Sequence, residues 1–449
     1  MATQETRPID VRALVDADNG RISRRVYVER EIYERELERV FARGWLYLAH
    51  TSQLKAPGDY VTTFMGEDPV IVSRGADGTI RAFLNACRHR GMRVCRADEG
   101  NTSFFRCPYH SWTYANDGQL TGVPRYREAY KGVLDKSEWG LKEVAQLAMH
   151  QGLIFATWDA DAPSLSDYLG PYKTILDLTF GRDPEGIEII GGAHKWTIEC
   201  NWKHPVENFA ADMYHVSSAH QRPADLGLMG QIESTGYELA TGMGYVGHQL
   251  TGPVSGDEAS EDALHSYWTL PNVNTYILKE QRARIADELG PDLARLIPLG
   301  HSAAFPNFSS LDIEMLRLIR VQHPRGPGLT MIHQFCAVDA SLDADTKNEL
   351  RKQYELSFGP AGLLEQDDGE NWRECQVGMS GYIGRNLEHN MLLGLGQERA
   401  SSEFLGADVP GTAGGIWSEH CQRQFYRHWT SFMTSESWDE LGAQLEGTT

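Results

Sequence analysis

Two short motifs constrain this chain more than any other feature. Cys87-Arg88-His89 and Cys107-Pro108-Tyr109-His110 are separated by 17 residues, and each pairs a thiol with an imidazole. Two such halves on neighbouring loops offer two sulfur and two nitrogen ligands to one site. That set suits zinc, or a [2Fe–2S] centre in which two histidines hold one iron. A zinc finger puts two cysteines in one half and two histidines in the other, whereas here each half is mixed. Gly91, Pro108 and Gly118 suit tight ligand-bearing turns. Cys95, Cys200, Cys336, Cys375 and Cys421 are isolated and read as small buried hydrophobes. Seven cysteines in 449 residues make no disulfide framework and suit a reducing compartment.

The pattern around these motifs is β. Tyr60 to Phe64, Val70 to Ser73 and Ile80 to Leu84 are short strand-like runs parted by turn clusters, and strands continue to about Ile154–Trp158. Before them, Tyr33, Leu37, Val40 and Phe41 predict a helix over 31–43. After them, the polar stretch 159–164 predicts a domain boundary. Leu350, Tyr354 and Phe358 form a helical stripe that Gly359-Pro360 breaks, with a second helix predicted from Ala361. Phe425, Trp429 and Met433 mark a last amphipathic helix. The expected organisation is α+β: a helical segment over 1–46, a small all-β unit over 47–160, and a larger α+β unit over 161–449. The large unit is expected to hold an antiparallel sheet flanked by helices.

The stretch Glu207 to His220, ENFAADMYHVSSAH, is the second informative segment. Asp212 and His215 are three apart and would share a helix face. His215 and His220 are five apart, about 140° on a regular helix, so they meet one metal only if the helix ends between them. Two imidazoles and one carboxylate make the facial triad of non-haem Fe(II) oxygenases, with positions left open for O₂. In FGPAGLLEQDDGENW, Leu364, Asp368 and Trp372 fall at i, i+4, i+8, so Asp368 lies on an otherwise apolar stripe. Glu365, Asp367 and Glu370 read as its solvated side.

CRHRG and CPYHSW at this spacing resemble the Rieske [2Fe–2S] signature. The resemblance implies that Cys87 and Cys107 hold the buried iron, that His89 and His110 hold the outer one, and that Trp112 shields the cluster. The disulfide cysteines of respiratory Rieske proteins are replaced by Met92 and Tyr109, which implies the oxygenase or ferredoxin type, near the low end of the Rieske potential range at about −150 mV. Asn201-Trp202-Lys203 followed by ENFAADMYHVSSAH resembles the mononuclear iron motif of ring-hydroxylating Rieske oxygenases. By that resemblance His215, His220 and Asp368 bind Fe(II), Asn208 lies close to it, and Asp212 links a cluster histidine to an iron histidine. His301 precedes Phe305-Pro306-Asn307, which resembles a pocket-lining strand, and Met213, Phe358, Leu363 and Leu364 resemble other pocket positions, whose apolar character suits an aromatic ring.

Both motif sets in the family's order imply the large (α) subunit of an aromatic-ring-hydroxylating dioxygenase. Such a subunit receives NADH-derived electrons through a reductase and ferredoxin and adds both atoms of O₂ to a ring as a cis-dihydrodiol. A small β subunit and an α3β3 or α3 oligomer are expected with it. A Rieske monooxygenase, an aromatic-acid dioxygenase and, more distantly, a structural zinc protein are the alternatives.

Gly242-Met243-Gly244-Tyr245-Val246-Gly247 satisfies GxGxxG, but Gly252-Pro253 follows where a helix would have to run, so a glycine-rich hairpin is expected instead of a nucleotide site. The formal charge of −20 argues against nucleic acid and anionic membrane as partners. Arg81, Arg88, Arg90, Arg93, Arg96 and Arg106 nevertheless cluster around the first motif, a basic patch fit to steer an acidic electron donor. The N-terminus has no apolar stretch and no run of about 18 apolar residues occurs, so neither signal peptide nor transmembrane helix is expected, and the chain is expected in the cytoplasm.

Overall fold

The computed structural model describes residues 9–226, 236–249, 271–294, 296–297, 300–313, 316–406 and 409–446. Its largest element is a nine-stranded antiparallel sheet. In chain order the strands are β1 (Ile187–Ile198), β2 (Gly236–Thr241), β3 (Gly244–Gln249), β4 (Gly300–Ala304), β5 (Phe308–Ile313), β6 (Leu316–Pro324), β7 (Thr330–Asp339), β8 (Arg399–Ala400) and β9 (Thr412–Gly415). They pair in the order β1-β7-β6-β5-β4-β3-β2-β9-β8. Strand β6 is buried along its whole length, as expected where both faces of a sheet are covered.

Helices cover the sheet. α1 (Arg30–Glu36) runs on into a wider turn over Leu37–Phe41, and Gly44 lies beyond it. α2 (Lys203–Phe209) and the single turn α3 (Val216–Ala219) lead through the second motif. α4 (Ala344–Phe358) buries Leu350, Tyr354 and Phe358 as their spacing predicts. α5 (Glu365–Ser380) follows, and α6 (His420–Thr434) sends Phe425, Trp429 and Met433 into the core.

Two local expectations are corrected. The helix expected from Ala361 begins at Glu365. Before it the chain doubles back, and Leu363 and Leu364 donate backbone hydrogen bonds to Leu356 and Ser357 of α4. Asp212 and His215 share no helix face: α2 stops at Phe209 because Ala211 takes a left-handed φ of 78°.

The first motif sits in a separate β-rich region. Asp59–Met65, Asp68–Arg74 and Ile80–Leu84 form one antiparallel sheet with Glu99–Asn101, and Phe104–Arg106, Thr113–Ala115 and Leu120–Gly122 form another. The region has its own core, in which Ile71, Phe83, Phe105, Trp112, Tyr114 and Leu141 pack around Cys87 and Cys107. Leu46–His50 pairs with Leu153–Thr157, which brings the two ends of the region together.

GxGxxG is a hairpin, as expected: Thr241 pairs with Gly244 across Gly242-Met243. A Cβ at Gly244 would lie 1.9 Å from the Tyr172 ring, so close packing explains that glycine. Residues 250–253, which include Gly252-Pro253, lie outside the described residues. Cys200, Cys336 and Cys421 are buried as expected, but Cys375 is exposed on the outer side of α5 and Cys95 is half-buried.

Candidate metal centres

The loops that carry the two Cys/His motifs repeat one hydrogen-bond pattern. Cys87 N–H donates to Met92 O at 2.9 Å, and Gly91 N–H donates to Cys87 O at 2.8 Å. Cys107 N–H donates to Trp112 O at 2.8 Å, and Ser111 N–H donates to Cys107 O at 3.0 Å. Gly91 and Ser111, four residues after each cysteine, both have left-handed φ, 72° and 56°. Two alike loops therefore present alike residues to one place. The cysteines are buried and the histidines half-buried.

The rings of His89 and His110 stand 4.5 Å apart, and His89 stacks on Trp112 at 5.1 Å and 8°. His89 Nδ1 is buried without a hydrogen-bond partner. Two sulfurs inside, two imidazoles toward the surface and an unpartnered ring nitrogen fit a cluster with two thiolate and two imidazole ligands. Tyr114, which the motif reading missed, places its hydroxyl 3.3 Å from Cys87 Sγ and accepts the Arg88 N–H at 3.1 Å. Tyr114, with its hydroxyl so placed, would, by donating to the sulfur, raise the potential of a cluster held there. Its only sequence signal was strand alternation after Trp112.

The second constellation assembles from three elements. His215 caps the start of α3 and His220 caps its end, so the helix is too short to splay them. Asp368 comes from the first turn of α5. Its Oδ1 lies 3.3 Å from Nε2 of both histidines. That oxygen is nonetheless buried with no hydrogen bond, so the three atoms face a common point more than they face one another. One ligand atom from each residue lies within 4.8 Å of the others. This donor set fits a divalent iron with an open side. Burial opposes ionisation of Asp368, but the two imidazoles beside it prevail and hold its carboxyl well below the usual range.

The surroundings sort the remaining expected residues. Asn208 is buried, with Nδ2 3.3 Å from His215 Nε2 and Oδ1 unpartnered. Asp212 Oδ2 lies 3.6 Å from His215 Nδ1 while its side chain stays 38% exposed. His301 on β4 faces the site, its ring 5.3 Å from Phe209; burial pushes its pKa down to about 3. Met213 packs with Val216 and Ile416, and Phe358 and Leu364 belong to the main core. Leu363 is 40% exposed, turned outward by the backbone reversal after α4, and so is not enclosed with them.

Glu365 is also corrected. It is buried, not solvated, and ion-paired with Arg320, whose guanidinium stacks 4.4 Å over Phe209. Asp367 Oδ2 lies 3.8 Å from His220 Nδ1, outside the three-atom convergence. Among the six arginines of the first motif region, Arg88, Arg90, Arg93, Arg96 and Arg106 are exposed, whereas Arg81 is tied to Asp77 at 2.8 Å.

Comparison with known proteins finds a known domain around each centre. Residues 44–143 match the Rieske [2Fe-2S] domain, and residues 187–435 match the ring hydroxylating alpha subunit (catalytic domain). The chain is 38% identical to the biphenyl dioxygenase subunit alpha of Metapseudomonas furukawaii, covering 97% of this chain and 95% of that one. It is 39% identical to the benzene 1,2-dioxygenase subunit alpha of Pseudomonas putida, covering 99% and 100%. A naphthalene 1,2-dioxygenase structure with indole in its active site superposes with a TM-score of 0.85 at 32% identity, covering 97% and 98%. No described helix is long and apolar enough to cross a membrane. The chain belongs to the α subunits of ring-hydroxylating dioxygenases, oxidoreductases that join a Rieske [2Fe–2S] domain to a non-haem iron catalytic domain.

Proposed function

We propose that this subunit cis-dihydroxylates an aromatic hydrocarbon ring, with His215, His220 and Asp368 as the iron ligands and Cys87, His89, Cys107 and His110 as the cluster ligands. The observation that carries the reading is the convergence of one carboxylate and two imidazole atoms on one buried point. When bound, the cluster supplies electrons one at a time and the iron supplies oxygen activation. The chain does the rest. Asp368 and the two histidines leave one side open. Met213, Phe358 and Leu364 are assigned as the apolar side of the substrate pocket, with His301 as its polar neighbour, against which a ring would be oriented.

Asp212 carries the link between centres. One of its oxygens faces His215 and its exposed side can accept from His110 of a second subunit, which fixes both ring tautomers and couples the two sites. Trp112 covers His89 and limits solvent access. The exposed arginines beside the first motif fit an acidic ferredoxin fed by an NADH-dependent reductase. The relatives are named as subunits of larger systems. A small β subunit, an α3β3 or α3 assembly, a cytoplasmic setting, and the cluster domain taken as residues 47–160 complete the reading.

The test is metal and product analysis of the purified holoenzyme. Three irons and two sulfides per chain, a Rieske-type EPR signal on reduction and a cis-dihydrodiol from biphenyl, benzene or naphthalene are expected. Stoichiometric zinc in a colourless protein refutes the metal assignment, and a singly hydroxylated product refutes dioxygenation.

A further inference from the structure

The turn that presents Asp212 is held by two residues, Gln422 and Gly247, that are not among the proposed metal ligands. A helix ends with carbonyls that have no partner of their own. Ala210 N–H still reaches Val206 O and Asp212 N–H reaches Asn208 O, but the left-handed Ala211 makes no such bond to Glu207 O, which is left unclaimed within the helix. Gln422, in the first turn of α6, donates its side-chain amide to Glu207 O at 3.2 Å and to Ala210 O at 3.1 Å. Gly247 of β3 also packs against the turn. A Cβ there would fall 2.6 Å from Ala211 Cα and 2.7 Å from Ala211 Cβ, so no larger residue leaves the turn in place. Within the turn, Asp212 N–H reaches Asn208 O at 3.1 Å and Met213 N–H reaches Ala211 O at 2.8 Å.

Gln422 is itself well placed. Its neighbour Cys421 donates its N–H to the buried Glu238 Oε2 at 3.2 Å, and Glu238 is the β2 residue paired with Gly247. Its other neighbour, Arg423, donates to Met391 O and Leu393 O at 2.8 and 2.9 Å. A left-handed non-glycine residue persists only where its surroundings over-determine it. Here a donor pulls from α6 and a missing side chain yields on β3.

We infer that Gln422 is a positioning residue for ring hydroxylation: by holding the last carbonyls of α2 it keeps the Ala211 turn in shape, and with it the carboxylate of Asp212 against His215. Its loss slows electron arrival at the iron without loosening the iron. The inference rests on the reading of Asp212 as the link between centres.

The experiment uses the complete oxygenase with its electron-transfer proteins and compares wild type, Gln422→Met, Gly247→Ala and Asp212→Ala. Methionine keeps the volume of glutamine and removes its donors. Iron and sulfide per chain, KM for the ring, kcat, and the rate of cluster reoxidation by O₂ after prereduction are measured. Small displacements of a reacting group cost large factors in rate, so Gln422→Met is expected to slow reoxidation and kcat together by about tenfold or more. Iron content and KM stay near wild type. Gly247→Ala, which pushes the same turn with the donor intact, is expected to slow the same step.

Wild-type reoxidation in Gln422→Met overturns the inference, as does a loss of activity that only follows loss of iron. If Gln422→Met yields no soluble protein, Gly247→Ala decides by the same criteria. A fast Asp212→Ala variant refutes the link itself. A slow Asp212→Ala beside a fast Gln422→Met refutes only the role of Gln422.

Discussion

Helix α2, which leads into the segment bearing His215 and His220, begins on a buried charge, and breaking that charge pair should loosen the site from behind. Lys203 Nζ lies 2.5 Å from Glu36 Oε1, and both side chains are 0% exposed. Glu36 also accepts the indole N–H groups of Trp202 at 2.9 Å and Trp429 at 2.8 Å. The ammonium lies 5.1 to 5.7 Å from the ring centroids of Tyr27, Trp202 and Trp429. α1, α2 and α6 thus meet on one ion pair.

Removing one partner of a buried pair strands the other and costs about 3–5 kcal/mol. Lys203→Met and Glu36→Gln should each be destabilised by about that much. The double variant keeps an acceptor for the indoles and strands no charge, so it should cost less than the two singles added, with a coupling of about 1–3 kcal/mol. An unfolding entropy of about 2.1 cal/mol/K per residue over 449 residues gives about 0.9 kcal/mol per degree, so each single should lower Tm by about 3–5 °C. Circular-dichroism melts of all four proteins at one pH read the cycle. Strictly additive losses, or a single variant within 1 °C (about 1 kcal/mol) of wild type, would refute the stranded-charge argument.

Asp368→Ala should reduce iron from three to two per chain while keeping the Rieske EPR signal; loss of the cluster signal would count against two separate centres. Glu207 is half-buried and accepts from Tyr27 and Tyr426, and desolvation raises its pKa from an ordinary 4.5 to about 7. The folded state then holds a proton that the unfolded state releases, so its stabilising contribution is full below about pH 4.5 and is lost as pH rises through about 7. Glu207→Gln should flatten that fall in a urea titration series, and an unchanged slope would sink the assignment. Gly244→Ala should destabilise by about 1–3 kcal/mol through its clash with Tyr172 while NADH binding stays absent in calorimetry; saturable NADH binding would overturn the hairpin reading.

The cluster site was legible in the sequence because its ligands sit within two tight loops whose spacing fixes their reach. The hairpin behind GxGxxG was legible for the same reason, since turn residues act locally. The iron site was only half legible. His215 and His220 come together in the fold, but the expectation that Asp212 shares a helix with His215 failed, because α2 stops at Phe209 and Ala211 takes a left-handed φ against Gly247 of a distant strand. Glu365 read as solvated because acidic runs usually are, and only the fold brings Arg320 to it.

What the sequence alone determined is the set of candidate ligands, Asp368 among them, and the order of the two metal domains, since these follow from residue type and short spacing. The tertiary structure decided that Glu365 is buried against Arg320, how far Asp212 reaches toward solvent, and which buried pair anchors α2. Each of those depends on groups far apart in the chain, whose meeting is set by how the sheet and helices pack and not by any local pattern.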